Sequence, residues 1–379
     1  MNEPGGSSKG DAPLFHTLKQ DVGRIKSDVL QRGVGQEIGG TLVELEAFYL
    51  SDTAKKRLAG MQPVSRFFYR LWWLVKSLLM KLTPARRVLL ALSLILLVSG
   101  FQRVEFEAFR VTFRFPLIGF VLLLLVLMLE LKDKLVARDE LVAGRSVQLA
   151  LMPDRSPKVP GWDLWLYTEP ANDVGGDLVD HLQIDARHHG VALGDVAGKA
   201  LPAALLMAKL LATLRALVPH VDTLGELGDS VNRILKRDGL PNRFATLVYL
   251  VVAADEGEVR VLNAGHMPPL VIRGGTIEEL PRGSMALGIV DDATFPEQRV
   301  ALAGGDALVV YSDGITEAMN PSGEFFGEDR LRTLLRETAG QPADRIGSRL
   351  IGALAAFVSG ARRHDDVSLV VLKRHAARA

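Results

Sequence analysis

Two runs of almost unbroken apolar residues constrain this chain more than any other feature. Val88–Phe101 reads VLLALSLILLVSGF and Pro116–Leu129 reads PLIGFVLLLLVLML, and neither contains a charge. Such segments must leave water, either for a protein core or for a bilayer. Both are shorter than the roughly 20 residues that span a bilayer comfortably. Arg86 and Arg87 precede the first run, and Lys132 and Lys134 follow the second. Long cationic side chains that reach the headgroups lengthen a usable span. Residues 61–87 hold six Lys/Arg and no acid, whereas the connector 102–115 holds three Arg and two Glu. Basic flanks stay on the cytoplasmic side. The expectation is a multi-pass inner-membrane hairpin, with both chain ends in the cytoplasm and 102–115 on the other side. A re-entrant pair and a buried soluble hairpin are the alternatives.

The flanks of the hairpin differ from it in character. Residues 66–82 (RFFYRLWWLVKSLLMKL) place Arg66, Arg70, Ser77 and Lys81 on one helical stripe, with Phe, Trp, Leu and Val over the rest. Trp with Lys/Arg favours the headgroup region, so an interfacial helix is expected. Residues 1–60 hold eight basic and eight acidic side chains and 3.6-type spacing at Leu14, Leu18, Val22 and Ile25. They read as a helical cytoplasmic segment, without the apolar core of a secretory signal peptide. Residues 61–131 form the interfacial and membrane part. Residues 132–153 form a polar linker helix closed by Pro153. Heptad positions Leu131, Leu135, Arg138, Val142, Arg145, Leu149 and Met152 trace an interrupted seam, expected to pair in a weak homodimer.

From residue 154 the sequence is globular. Strand-like runs are expected at 162–168, 178–184, 191–193, 245–253, 259–262, 270–272, 299–302, 307–311 and 367–372. Helices are expected at 201–217, 224–236, 329–338 and 342–358. Short Gly-containing connectors join the strands, which suits antiparallel pairing. The fold class is therefore α+β, a layered αββα sandwich. The chain has no Cys, which excludes disulfides, thiolate catalysis and Cys-ligated zinc. A net charge of +1 and 6% aromatics give nucleic-acid binding no support.

Acidic residues recur beside glycine at the strand ends. They lie in Gly175-Gly176-Asp177, Gly194-Asp195-Val196, Ser312-Asp313-Gly314 and His364-Asp365-Asp366. Brought to one rim, these carboxylates offer only oxygen ligands, which suits Mg²⁺ or Mn²⁺. Their mutual repulsion calls for such cations, and a metal pair can activate a water. Residues 172–180 (NDVGGDLVD), 194–207 (GDVAGKALPAALLM), 242–247 (NRFATL), 263–269 (NAGHMPP), 311–318 (YSDGITEA) and 365–371 (DDVSLVV) occur in that order. The set resembles the SpoIIE/RsbU-type branch of the metal-dependent, protein phosphatase 2C-like Ser/Thr phosphatases, over about residues 145–373.

The resemblance implies a hydrolase that releases phosphate from phosphoserine or phosphothreonine by metal-activated water, without a covalent phosphoenzyme. It implies two Mn²⁺ or Mg²⁺ ions held by Asp177, Asp195, Asp313 and Asp365. Asp195 would bridge them, the Val196 carbonyl would assist, and Asp366 would be a weaker ligand. It implies a phosphorylated regulatory protein as substrate, most typically an anti-sigma-factor antagonist. A non-catalytic membrane scaffold with a phosphatase-like domain is the alternative. Ala200 stands where the branch commonly has glycine, and Leu178-Val179 replaces a frequent aromatic pair. His266 is expected to be structural, and His188-His189 to lie in a solvated turn.

Overall fold

The structure is a computed structural model that describes residues 62–99, 101–106, 109–238, 243–254, 256–361 and 363–376. The helical segment expected within 1–60 lies outside the described residues. The chain divides into two compact units, one up to Asp133 and one from Lys134.

In the first unit, α1 (Pro63–Lys81) is followed by α2 (Pro84–Val98). Both begin with proline, whose missing N–H costs nothing in a first turn. The connector between the apolar runs folds as a hairpin, with β1 (Phe101–Phe106) antiparallel to β2 (Phe109–Arg114). The second run opens α3, a single helix from Phe115 to Leu151. It passes the expected boundary at 131/132 without interruption, because the change there is in polarity and not in helix propensity.

Against α2, α3 packs at Gly119. A Cβ there would lie 2.7 Å from the Ser93 carbonyl oxygen and 2.8 Å from the Leu97 nitrogen. Glycine thus permits the backbones to touch, and Ser93 is fully buried. Arg86 closes the pair with ion pairs of 2.6 Å to both Glu130 and Asp133. The outer faces remain apolar and exposed, with Val88 at 67%, Ile95 at 63% and Leu127 at 62%.

The second unit is a four-layer sandwich. Its strands are β3 (Trp162–Glu169), β4 (Leu178–Gln183), β5 (His188–Val196), β6 (Ala245–Ala253), β7 (Glu258–Ala264), β8 (Leu270–Arg273), β9 (Thr276–Glu279), β10 (Glu297–Ala301), β11 (Ala307–Tyr311) and β12 (Val367–Arg374). One sheet has the order β10-β7-β6-β5-β4 and the other β3-β12-β11-β8-β9, antiparallel throughout. Alternating residues such as Val179, Val191, Leu193, Leu308, Val310 and Val370 fill the space between the sheets. Helices α4 (Ala200–Leu217) and α5 (Leu224–Asp238) cover the first sheet. After a single turn, α6 (Asp313–Thr316), α7 (Gly327–Thr338) and α8 (Ala343–Val358) cover the second. The αββα layering is the one expected.

The expected turn at His188-His189 is not a turn. Both residues open β5, where His188 pairs with Asp185 at 2.7 Å and His189 is buried. Rings of His181 and His189 meet through nitrogens 3.2 Å apart. Gly190 concealed the strand from the sequence pattern. It is glycine because the Tyr249 side chain crosses where a Cβ would stand.

Candidate active site

The two sheets present their acidic strand ends at one edge of the sandwich. Asp177 immediately precedes β4, and Asp195 lies near the end of β5. Their neighbours Leu178 and Gly194 are register partners, so the two carboxylates start from adjacent backbone. From the other sheet, Asp313 follows β11 as the first residue of α6, and Asp365-Asp366 precede β12.

Glycines allow these loops to close together. A Cβ on Gly176 would stand 3.4 Å from Asp195 Oδ1 and 3.1 Å from the Val196 carbonyl oxygen. A Cβ on Gly175 would overlap the Asp366 carboxylate, and one on Gly314 would overlap the Asp366 carbonyl. The packing that fits these loops to one another therefore requires the bare backbone.

Electrostatics mark the same residues. Burial, and then the charge of Asp195, hold the Asp177 carboxyl well above the ordinary aspartate range, although Ser368 and Ser312 hydroxyls pull the other way. Asp177 is 5% exposed, and its Oδ2 has no hydrogen-bond partner among the described residues. Asp195 is pushed up to about 6 by burial, then by Asp313, Asp365 and Asp366. Asp313 is raised by burial, then by Asp365 and Glu317. Anions this crowded and buried ask for a cation. An unpartnered buried carboxylate oxygen, oxygen-only donors and the glycine cradle fit a hard divalent ion. Among the described residues, no three acidic or histidine side chains are already closed into one ligand shell.

Asp366 occupies a different position from the other four. Its Oδ1 accepts the Ala171 N–H at 2.8 Å, and its Oδ2 accepts those of Gly176 at 2.6 Å and Asp177 at 3.4 Å. His266 is buried and bridges the sheets. Its Nε2 lies 3.1 Å from the Tyr311 carbonyl of β11, and its Nδ1 lies 2.9 Å from the Thr246 hydroxyl of β6. Bound to a carbonyl, Nε2 carries the proton and Nδ1 accepts from Thr246. Burial lowers His266 to about 4, which keeps it neutral at neutral pH. Thr246 Oγ1 also accepts the Asp195 N–H at 3.3 Å, so this chain of bonds seats the β5 end.

Thr246, Ser312 and Ser368 lie within the motifs at 242–247, 311–318 and 365–371, but the sequence assigned them no role, which only their contacts in the fold reveal. Ser312 Oγ accepts the Ser368 N–H at 2.8 Å. Two cations flank the rim, Lys199 bonded to the His364 carbonyl at 3.1 Å and Arg243 bonded to the Ala197 carbonyl at 2.7 Å. A cavity of about 180 Å³ opens there, lined by Lys199, Glu317, Met319, Arg363 and Asp365 among others. A larger one of about 580 Å³ lies at the opposite end of β3, around Trp162, Asp344 and His375, and contains none of the carboxylates.

Comparison with known proteins agrees with this geometry. The family model described as Stage II sporulation protein E (SpoIIE) matches residues 185–375, which include Asp195, Asp313, Asp365 and Asp366 but not Asp177. Protein IcfG of Synechocystis sp. is 27% identical over 277 residues, 65% of this chain and 43% of that protein. Phosphoserine phosphatase RsbU of Bacillus subtilis is 26% identical over 239 residues, 62% of this chain and 70% of its own length. The chain thus spans less than half of the first relative and about two thirds of the second. Among solved structures, the RsbU and RsbW domains of Rv1364c from Mycobacterium tuberculosis match with TM-score 0.51 and 28% identity, over 59% of this chain and 62% of that one. The SiaA-PP2C domain of Pseudomonas aeruginosa matches in fold with TM-score 0.54 and 20% identity, over 64% of this chain and 98% of that one. Matching sheets, strand-end carboxylates and a family model that covers half its length place one conclusion beyond the fold itself: the chain belongs to the SpoIIE family, in the RsbU-type branch of the protein phosphatase 2C-like fold.

Proposed function

We propose that this chain is a membrane-anchored, metal-dependent protein Ser/Thr phosphatase whose substrate is a phosphorylated regulatory protein, most typically an anti-sigma-factor antagonist. The observation that carries the reading is the buried, unpartnered Oδ2 of Asp177 amid carboxylates drawn from both sheets. Asp177, Asp195, the Val196 carbonyl, Asp313 and Asp365 would hold two Mn²⁺ or Mg²⁺ ions. Bound there, such ions supply an activated water and neutralise the charge of the phosphate. The chain's own residues do the rest. Asp366 spends its carboxylate on the loop that carries Asp177 and is read as a clamp more than a ligand. His266 and Thr246 seat Asp195. Lys199 and Arg243 lend positive charge to the rim that an incoming phosphoprotein meets. RsbU and RsbP of Bacillus subtilis are named phosphoserine phosphatases, which supports the substrate class.

Two observations support the membrane anchor. Among the described residues, two helices are long and apolar enough to cross a membrane. One, Ala200–His220, includes α4 and packs into the sandwich core; the other is α3, with mean hydropathy 2.3 in its most apolar window, and the 15-residue apolar α2 packed on it would supply the second arm of a hairpin. The other support is the exposed apolar belt of α2 and α3, which water would penalise and lipid would not. A cytoplasmic catalytic domain follows from the basic flank. On the polar half of α3, Leu135, Val142 and Leu149 are 50%, 53% and 53% exposed and one heptad apart. That stripe supports pairing with a second copy.

The test is phosphate release by the full chain in detergent from a phosphoserine-bearing anti-sigma-factor antagonist, with Mn²⁺ and with EDTA. Mn²⁺-dependent release is expected. No release from that protein or from a generic phosphate monoester at saturating Mn²⁺ refutes the catalytic reading and leaves the scaffold. Extraction by alkaline carbonate without detergent refutes the anchor.

A further inference from the structure

The helix that leads into the sandwich reaches the acidic loop with one side chain that nothing above uses. Along α3, Gly144, Gln148 and Leu151 form the face turned towards the sandwich, at spacings of four and three residues. A Cβ on Gly144 would rest 3.7 Å from Leu201 and 3.9 Å from Val174. Gln148 is 4% exposed, whereas its neighbours Val147 and Leu149 are 62% and 53% exposed. Its Nε2 donates to the Gly175 carbonyl at 3.0 Å, and its Oε1 accepts the Gly175 N–H at 3.2 Å. One amide thus satisfies both backbone polar groups of a single residue.

That residue lies two positions before Asp177. On its other side, Gly175 abuts the Asp366 carboxylate, which takes the next two N–H groups. Consecutive N–H groups of Gly175, Gly176 and Asp177 are therefore held by two side chains, one from the entering helix and one from the residue just before the last strand. Paired glycines are the most freely moving backbone a chain can have, so a ligand carried beside them needs such restraint. We infer that Gln148 is a positioning residue, a clasp that fixes the Gly175–Asp177 loop and so sets the metal affinity of the site. The metal half of this inference rests on the proposed function, while the clasp itself does not. A turn of α3 by one residue, roughly 100°, takes Gln148 off Gly175. The same helix bears the exposed Leu135–Val142–Leu149 stripe, so pairing of the stripe and hold on the loop share one rigid element.

The test uses Gln148→Met in the full chain in detergent, a swap that keeps length and volume and removes both hydrogen bonds. Hydrogen exchange without metal reads the clasp, free Mn²⁺ measured by its paramagnetic resonance reads affinity, and phosphate release against Mn²⁺ separates half-saturation from kcat. Faster exchange confined to residues 171–177 is expected. The Mn²⁺ dissociation constant should rise about tenfold, as for other residues that support a ligand from behind, with kcat at saturating Mn²⁺ little changed. Unchanged exchange at 171–177 overturns the clasp. Faster exchange there with unchanged Mn²⁺ affinity, or faster exchange throughout the sandwich, overturns the positioning role. Wild-type protein that binds no Mn²⁺ overturns the metal reading and the positioning of a ligand with it. The exchange arm tells that failure from failure of the clasp.

Discussion

Replacing Asp195 with Asn should make the metal-free protein more stable and the Mn²⁺-loaded protein less so. Burial, and then Asp313, Asp365 and Asp366, push Asp195 up to about 6 from an ordinary 3.8. At pH 7.5 it is ionised in both folded and unfolded chains, and the folded state bears the cost. A shift of about two units at about 1.4 kcal/mol each gives about 3 kcal/mol, and about 2 kcal/mol once partial exposure is discounted. Because the folded pKa is the higher one, the native state keeps a proton that the unfolded chain has released. Stability from this group is therefore lost as pH rises from about 4 to about 6. Asn cannot ionise, so the variant escapes that loss. Asp195→Asn should accordingly gain about 1–2 kcal/mol at pH 7.5 in EDTA, and the gain should shrink at pH 4. Ligand linkage runs the other way. A site at a hundredfold excess over its dissociation constant stabilises by about 2.7 kcal/mol, which wild type should show in Mn²⁺ and the variant should not. Thermal unfolding of the full chain followed by tryptophan fluorescence, at both pH values and with Mn²⁺ or EDTA, reads all four states. A variant less stable than wild type in EDTA at pH 7.5, or one that Mn²⁺ stabilises as strongly, refutes the reasoning.

Other expectations concern packing and pairing. Arg215 pairs at 2.7 Å with Asp180, whose side chain is 6% exposed. Arg215→Met strands that carboxylate and should cost about 2–4 kcal/mol by chemical denaturation, most of it recovered by adding Asp180→Leu. Gly119→Leu has no room against the Ser93 carbonyl, so it should cost about 1–3 kcal/mol in unfolding of the helical unit in detergent, and unchanged stability contradicts the helix contact. Ala200 holds φ at +60°, a conformation that costs an L-residue about 1–2 kcal/mol. Ala200→Gly should raise stability by about 0.5–1 kcal/mol after glycine's extra freedom in the unfolded chain is subtracted, and a lower melting temperature would count against that strain. Arg138→Leu with Arg145→Leu completes the exposed stripe on α3 and should increase crosslinked dimer and fix one activity state; more crosslinked dimer with unchanged phosphate release would make the helix only a spacer.

Strand-end carboxylates were legible because aspartate beside glycine at the close of an apolar run is a local pattern. β6 and β11 were readable residue for residue, being continuous apolar runs. β5 was not: glycines at 190 and 194 break its pattern, and they are glycines because Tyr249 and the Thr246 carbonyl cross there. β9 (Thr276–Glu279) is mostly exposed and polar, so nothing in its composition marks a strand. Helical spacing continues past Leu129 while hydropathy falls, and α3 runs through that change as one helix. Gln148 sits on a helical face of otherwise apolar or small residues, and its role was not legible because a buried amide on a helix is defined by what it faces.

The position of β12 has a consequence for synthesis. It lies inside its sheet, between the edge strand β3 and the central strand β11, and pairs Val367 with Glu169 across about two hundred residues of chain. Until it emerges from the ribosome, β3 has no neighbour on that side and Asp365 is not yet in place. A polypeptide interrupted anywhere between those strands lacks the strand that joins β3 to β11 and lacks Asp365. On the proposed function, a truncated product would lack the carboxylate that completes the site. The same long-range closure makes late, slow assembly the expected folding order.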